Sequence, residues 1–189
     1  DLRWGYLHAA AKPSHMGWVN DTHEEWERYG YTDTAVYDKQ RLEAHLQSKI
    51  YHGALWENNA GHLHPLNYAL GLARAAKEAG VRIFEDSRVL TLDKGPTVSV
   101  KTDKGSVRAK FLVAAGNAYL GNMIPKLYRR VMPVGSFIVA TEPLGAERAS
   151  ALIANNDAVS CTNNIVDYYR LSSDGRMLFG GRANYSGYE

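Results

Sequence analysis

Apolar and polar positions alternate with a period of two in some stretches and recur near every 3.6 residues in others, so the chain reads as a mixture of strands and helices. LRWGYLHAA, near the start, has the pattern of a strand. In NDTHEEWERYG, Asn20 or Asp21 stands as a helix N-cap, with acidic residues in the first turn and Gly30 as a stop. YDKQRLEAHLQSKI repeats the pattern, with Asp38 as cap and Leu42, Leu46 and Ile50 along one face. HPLNYALGLARAAKEAG predicts a helix opened by Pro65 and ended by Gly80. Its stripe of Leu66, Ala69, Leu70, Ala73 and Ala76 suits close packing on something flat.

VRIF follows as a short buried strand, the expected partner in a helix-then-strand step of a parallel sheet. RVLTLDK, TVSVKTD and SVRAKFLVAAG are alternating runs separated by KGP and DKG turns, which predicts an antiparallel meander whose last strand continues into apolar FLVAAG. Beyond it lie a strand in VMPVGSFIVATEP, a short helix in GAERASALIANN, and a hairpin in VDYYRLSSDGRMLFGG turning at Ser173, Asp174 and Gly175. The fold class is therefore α/β with α+β character. No repeat, low-complexity tract or slack linker divides it.

Composition narrows the function classes. With 45% hydrophobic and 22% charged residues over 189 positions, the chain has a globular composition. Its 22 basic and 20 acidic residues are intermingled, and the one basic cluster, Lys126, Arg129 and Arg130, suits a solvated face; no nucleic-acid partner is implied. A single cysteine, Cys161, excludes an internal disulfide and fits a reducing compartment, with the cytoplasm as the default. No apolar run is long enough for a membrane span, and the N-terminal segment lacks the order of a signal peptide. The abrupt start, without Met, reads as that of a fragment.

Motifs in order along most of the chain, GHLHPLNYALGLARAAKEAGVRIFEDSRV, AAGNAYL, VMPVGSFIVATEPL and DYYRLSSDGRMLFGGRANYS, resemble the FAD-dependent oxidoreductases of the D-amino-acid oxidase superfamily. The resemblance implies the middle portion of such an enzyme, with FAD as cofactor and an amine or amino acid as small-molecule substrate, oxidised at a C–N bond. It implies part of an FAD-binding domain over 62–130 and a discontinuous substrate-binding domain over 1–61 and 131–189. The G-x-G-x-x-G turn that cradles the pyrophosphate in that family is absent from this sequence. Alternatives are a non-catalytic binding or interaction domain on the same fold, or an inactive fragment that self-associates, as a homodimer through an exposed sheet edge.

By resemblance, Val89 would meet the adenine through its backbone, and Ala114, Ala115 and Gly116 would line the cofactor. An ordinary strand and a tight junction that needs small residues account for the same positions. Arg170 is the candidate for a substrate carboxylate, through two parallel hydrogen bonds; the competing reading pairs it with Asp167 or Asp174. Tyr168 and Tyr169 are further substrate candidates, but a regular strand turns them to opposite faces, so at most one lines a cavity. GNAYLGN has P-loop glycine spacing but places Asn122 and Met123 where Lys and Ser/Thr belong. His62 and His64 share a face of an extended segment; a metal site would need a third ligand, with His52, Glu57 and Asp86 as the options, and a polar loop before the helix is the preferred reading. Cys161 reads as a small buried residue rather than a reactive thiol or flavin attachment point.

Overall fold

The computed structural model describes residues 2–184, with side chains described as far as 181. Two compact units emerge: residues 2–69 with Gly135–Asn184 make unit 1, and Leu70–Val134 make unit 2. In chain order, unit 1 contains β1 (Arg3–Ala9), α1 (His15–Arg28), β2 (Thr34–Asp38), α2 (Lys39–His45) and β3 (Gly53–His62). The helix α3 (Pro65–Glu78) begins in unit 1 and continues into unit 2, which then contains β4 (Val89–Asp93), β5 (Val98–Thr102), β6 (Ser106–Ala109) and α4 (Pro125–Tyr128). The remainder of unit 1 is β7 (Gly135–Ala140), α5 (Ala146–Leu152), β8 (Ala158–Cys161), β9 (Tyr168–Leu171) and β10 (Met177–Asn184).

Unit 1 is one seven-stranded mixed sheet in the order β2-β3-β1-β8-β9-β10-β7. β1 and β8 run parallel, from Tyr6 opposite Ala158 to Ala9 opposite Cys161, and the other neighbours are antiparallel. The strand period of two sorts the side chains. Leu7, Ala9, Ala54, Val159, Cys161 and Leu171 lie on one face, where Leu42 and Leu46 of the α2 segment and Ala149 and Ile153 of the α5 segment cover them. The two helical segments are clasped where they end, since Gln47 N donates to Leu152 O at 3.0 Å and Ala154 N to His45 O at 2.9 Å. The opposite face carries a smaller core of Ala10, Val19 and Leu55, with Met16, Trp26 and Val36 against it.

Local signals predicted several of these elements. Asp38 caps α2 by accepting from Arg41 N at 2.7 Å, Pro65 opens α3, and Gly30 and Gly80 follow their helices with φ of +81° and +87°. The meander is present as β4-β5-β6, and the hairpin forms with Leu171 opposite Met177. Other expectations are corrected. The first helix starts at His15, not at Asn20 or Asp21, because a turn at Lys12 and Pro13 leads directly into it and brings Met16 and Val19 onto Leu55. Leu46 leaves the helix to bridge Ile153, so Ile50 lies off the buried face and is exposed.

VRIF forms no strand: Val81, Ile83 and Phe84 are exposed, and no described strand lies alongside to take their backbone bonds. FLVAAG is likewise irregular, with β6 ending at Ala109. The stripe on α3 accordingly buries none of its residues. Strands β2, β3 and β8 were not expected from the sequence.

Two close approaches fix details of the sheet. Gly180 lies opposite Tyr168, and a Cβ there would run into the tyrosine ring. Gly5, at the register shift between Trp4 and Tyr6, has φ of +113° and leaves room for the Asp157 carboxyl, whose residue is 2% exposed. Burial pushes the Asp157 carboxyl above the usual carboxylate range, while His45, Trp56 and His62 pull it back. Trp56 faces it without a bond of normal geometry, as Trp56 Nε1 and Asp157 Oδ2 are both buried without a partner.

All 4 tryptophans belong to residues 2–69, so tryptophan fluorescence reports the unfolding of unit 1. Gly180→Ala is expected to destabilise unit 1 by about 1–3 kcal/mol through overpacking against Tyr168, read from the shift of its urea midpoint; an unchanged midpoint would sink the argument. Because Asp157 holds its proton more tightly in the folded state than in the unfolded one, its contribution is greatest in acid. That contribution declines as pH rises from the ordinary carboxylate range through the raised value. Asp157→Asn should flatten the stability profile of unit 1 as pH rises from the ordinary carboxylate range, at about pH 4, and an identical profile would contradict the assigned shift.

Candidate functional site

On the sheet face opposite the main core, β1, β7, β8, β9 and β10 wall a cavity of about 280 Å³. Tyr6, Ile138, Ala158, Tyr168, Arg170 and Leu178 line it. Strand parity explains the membership: Tyr6 lies opposite Ala158 on β8, and Arg170 lies opposite Leu178 on β10. The Tyr168 ring reclines over Gly180, and its hydroxyl donates to Ser136 Oγ at 3.4 Å. The walls are mainly apolar with a few polar groups converging on them, the composition of a small-molecule site.

Arg170 is half-buried. Its Nη1 donates to Leu171 O at 3.3 Å and to His62 Nδ1 at 3.4 Å. His62 Nε2 donates in turn to Asn156 O at 2.8 Å, which leaves Nδ1 free to accept and fixes the neutral tautomer. Burial pushes the His62 imidazole pKa down; the Asn156 carbonyl and Asp157 oppose that shift, and the charges of Arg170 and Arg3 add to it. Burial also lowers the Arg170 pKa, from a starting value so high that the guanidinium stays charged.

Neither expected acid pairs with Arg170. Asp174 holds Arg176 at 2.7 Å, and Asp167 is engaged at Cys161, where its N–H donates to Sγ at 3.2 Å. Among the described residues, Arg170 makes no ion pair. A desolvated fork of donors at a cavity wall, without a described carboxylate, is equipped to take one from a ligand.

Tyr169 differs from its neighbour. It borders the cavity, but its side chain lies on the core face, stacked on Phe179 at a centroid distance of 5.4 Å, with its hydroxyl donating to Tyr51 at 3.2 Å. Burial pushes its phenol pKa far up. Tyr168 is thus the tyrosine whose ring faces the site. Sequence reasoning missed Tyr6, although its spacing from His8 marked a common face of β1. It read His62 as part of a polar loop before the helix, with a metal site as the lesser option, and not as the partner of Arg170; no local signal links residues 108 positions apart. Among the described residues, no group of three or more His, Cys, Asp or Glu side chains gathers as metal ligands would.

In unit 2, Val89 opens β4 opposite Thr102 and borders a cavity of about 360 Å³. Phe84, Val100 and Val107 give that cavity apolar walls, with Lys104 and Thr102 at its polar side. Ala114, Ala115 and Gly116 form an open, irregular stretch before the 3-10 turn Asn117–Met123, with Ala114 half-buried and the other two exposed. A side chain at Gly116 would press on Leu120. The Val89 cavity is walled mainly by apolar side chains, and the Ala114–Gly116 stretch carries only small side chains beside its backbone. The structure therefore gathers Tyr168 and Arg170 at one cavity of unit 1, and brings Val89 to another in unit 2.

Residues 1–189 match the family described as FAD dependent oxidoreductase, whose cofactor is FAD. The chain is 42% identical over 187 residues to the probable oxidoreductase OrdL of Haemophilus influenzae, covering 95% of this chain and 43% of that protein. It is 39% identical over 186 residues to gamma-glutamylputrescine oxidoreductase of Escherichia coli, covering 98% of this chain and 44% of that protein. The chain thus spans less than half the length of these curated relatives. Glycine oxidase from Geobacillus kaustophilus superposes with a TM-score of 0.79 at 17% identity, covering 100% of this chain and 50% of that one. L-proline dehydrogenase from P. horikoshii gives 0.79 at 19% identity, covering 99% and 51%. These structures share the fold, with its mixed sheet and antiparallel meander. Matched over its whole length and flanked by these relatives, the chain belongs to the family of FAD-dependent oxidoreductases.

Proposed function

We propose that the chain is a segment of a longer flavoenzyme that oxidises the C–N bond of an amine bearing a carboxylate, in the manner of gamma-glutamylputrescine. The observation that carries this reading is the half-buried Arg170 guanidinium on an apolar cavity wall with no described acid to neutralise it. Residues 62–130 are assigned to the nucleotide side, and 1–61 with 131–189 to the substrate side; the passage between compact units within α3 and again before β7 supports that division.

Val89, Ala114, Ala115 and Gly116 would hold FAD, which when bound supplies the two-electron acceptor. Arg170 orients the substrate by its carboxylate, and His62 holds the guanidinium in place. Tyr168, Tyr6 and Leu178 exclude water from the rest of the ligand. An apolar wall also disfavours the ammonium form, so the amine is presented with its lone pair free.

A second reading is favoured by β7. It is an edge strand exposed throughout, with Ile138 and Val139 among its exposed apolar residues, so two copies of the chain could pair along it without catalysis.

Incubating the chain with FAD, desalting and recording the visible spectrum is expected to show a retained flavin band. A colourless monomer would contradict the flavin assignment to these residues, and a colourless dimer by light scattering would favour the second reading. In the flavin-loaded enzyme, Arg170→Met should raise KM for gamma-glutamylputrescine by about 10- to 100-fold, the worth of a charged hydrogen-bond pair, and leave KM for putrescine nearly unchanged. Equal effects on both substrates would remove Arg170 from carboxylate recognition.

A further inference from the structure

A smaller cavity of about 80 Å³ shares Arg170 and His62 with the apolar one. Arg3, His64, Asn156 and Ser172 complete most of its wall, and no described acidic residue lines it. Its placement follows from the sheet. Arg3 lies directly opposite His62 on β3, at the end of β1 where the register shifts. Gly61 permits that approach, because a side chain there would run into the Arg3 carbonyl. Arg3 and Arg170 therefore reach His62 from β1 and β9 respectively, Arg3 from an exposed position and Arg170 from a half-buried one.

Two guanidiniums beside one imidazole repel each other unless an anion joins them. Both charges, like burial, hold the His62 pKa down. The acid that acts on His62 is Asp157, but that residue is buried and does not line the cavity. Asn156 lines the same cavity: its carbonyl serves His62, and its side-chain Oδ1, as placed, is buried without a described partner. Turning that amide over would present its NH₂ as a donor. The volume accommodates one small planar anion with a water or two.

We propose that Arg3 and Arg170 form a two-cation subsite, with His62 as the hydrogen-bonded spacer between them, for a carboxylate at the end of the substrate remote from the amine. The shared wall lets a linear ligand lie along the apolar cavity and place its anionic end in the polar one. This rests on the reading of the apolar cavity as the amine site, and adds to it a second anchor and a required distance between the two functional groups. Neither cation alone encloses the anion. Arg170 closes the inner side, and Arg3 closes the outer.

The test is binding, not turnover. The 189-residue chain is titrated with δ-aminovalerate, its uncharged amide δ-aminovaleramide, and inorganic phosphate, following heat and histidine NMR shifts. Binding of δ-aminovalerate with a shift at His62 is expected, together with at least tenfold weaker binding of the amide. Arg3→Met is expected to weaken δ-aminovalerate by about 10- to 100-fold, and Arg3→Lys by less, since it keeps the charge but loses the fork. Arg3→Lys also serves if the Met variant does not fold.

Unchanged affinity in either variant overturns the subsite. So does phosphate binding as tightly as δ-aminovalerate, which would make the pocket a general anion site instead of a substrate anchor. An arginine-dependent δ-aminovalerate site in a flavoenzyme that oxidises no amine would fail the proposed reaction and leave the subsite standing.

Discussion

The parallel pairing of β1 with β8 is the constraint on which unit 1 depends. It joins segments about 150 residues apart, from Tyr6 opposite Ala158 to Ala9 opposite Cys161. A one-residue slip in that register would turn Leu7 and Val159 out of the core and Tyr6 and Ala158 out of the cavity. Core and site are thus two readings of the same pleat. The buried side holds Leu7, Val159 and Leu171 under α2 and α5, and the other presents Tyr6, Tyr168 and Arg170.

Electrostatics on the site face are unusual for what they omit. Most arginines in folded proteins either reach solvent or find a carboxylate. Arg170 is partly withdrawn from water, and among the described residues it is satisfied by the Leu171 carbonyl and a neutral imidazole. The line from Asn156 O through His62 to Arg170 transmits backbone position to the guanidinium, which makes the donor fork a rigid element. Gly180 contributes in the same way, by letting the Tyr168 ring lie flat on the neighbouring strand.

Much of the fold was legible where the determining forces are local. The cap at Asp38, the proline at the start of α3, the turns of the meander and the Ser172–Arg176 hairpin each depend on residues a few positions apart. Strand geometry alone turned Tyr168 and Tyr169 to opposite faces, but which of them faces the core was decided only by the contacts of Tyr169 with Tyr51 and Phe179. What was not legible depends on partners distant in sequence. β8 is four residues long and gains its identity from β1 and β9, while β3 ends in polar ENNAGH. Conversely, VRIF and FLVAAG have apolar strand character, yet no described strand lies beside them to make them strands. The His62–Arg170 contact bridges β3 and β9 and carries no trace in either local motif.

The β1–β8 register also has a temporal consequence. During synthesis β1, β2 and β3 emerge before β8, and the edge of β1 that belongs to β8 stays unpaired until Ala158 has been made. At ribosomal speeds of about 5–20 residues per second, that interval lasts roughly 8–30 seconds, with unit 2 elongating in between. The nascent chain must therefore keep an apolar strand edge from wrong partners throughout that interval.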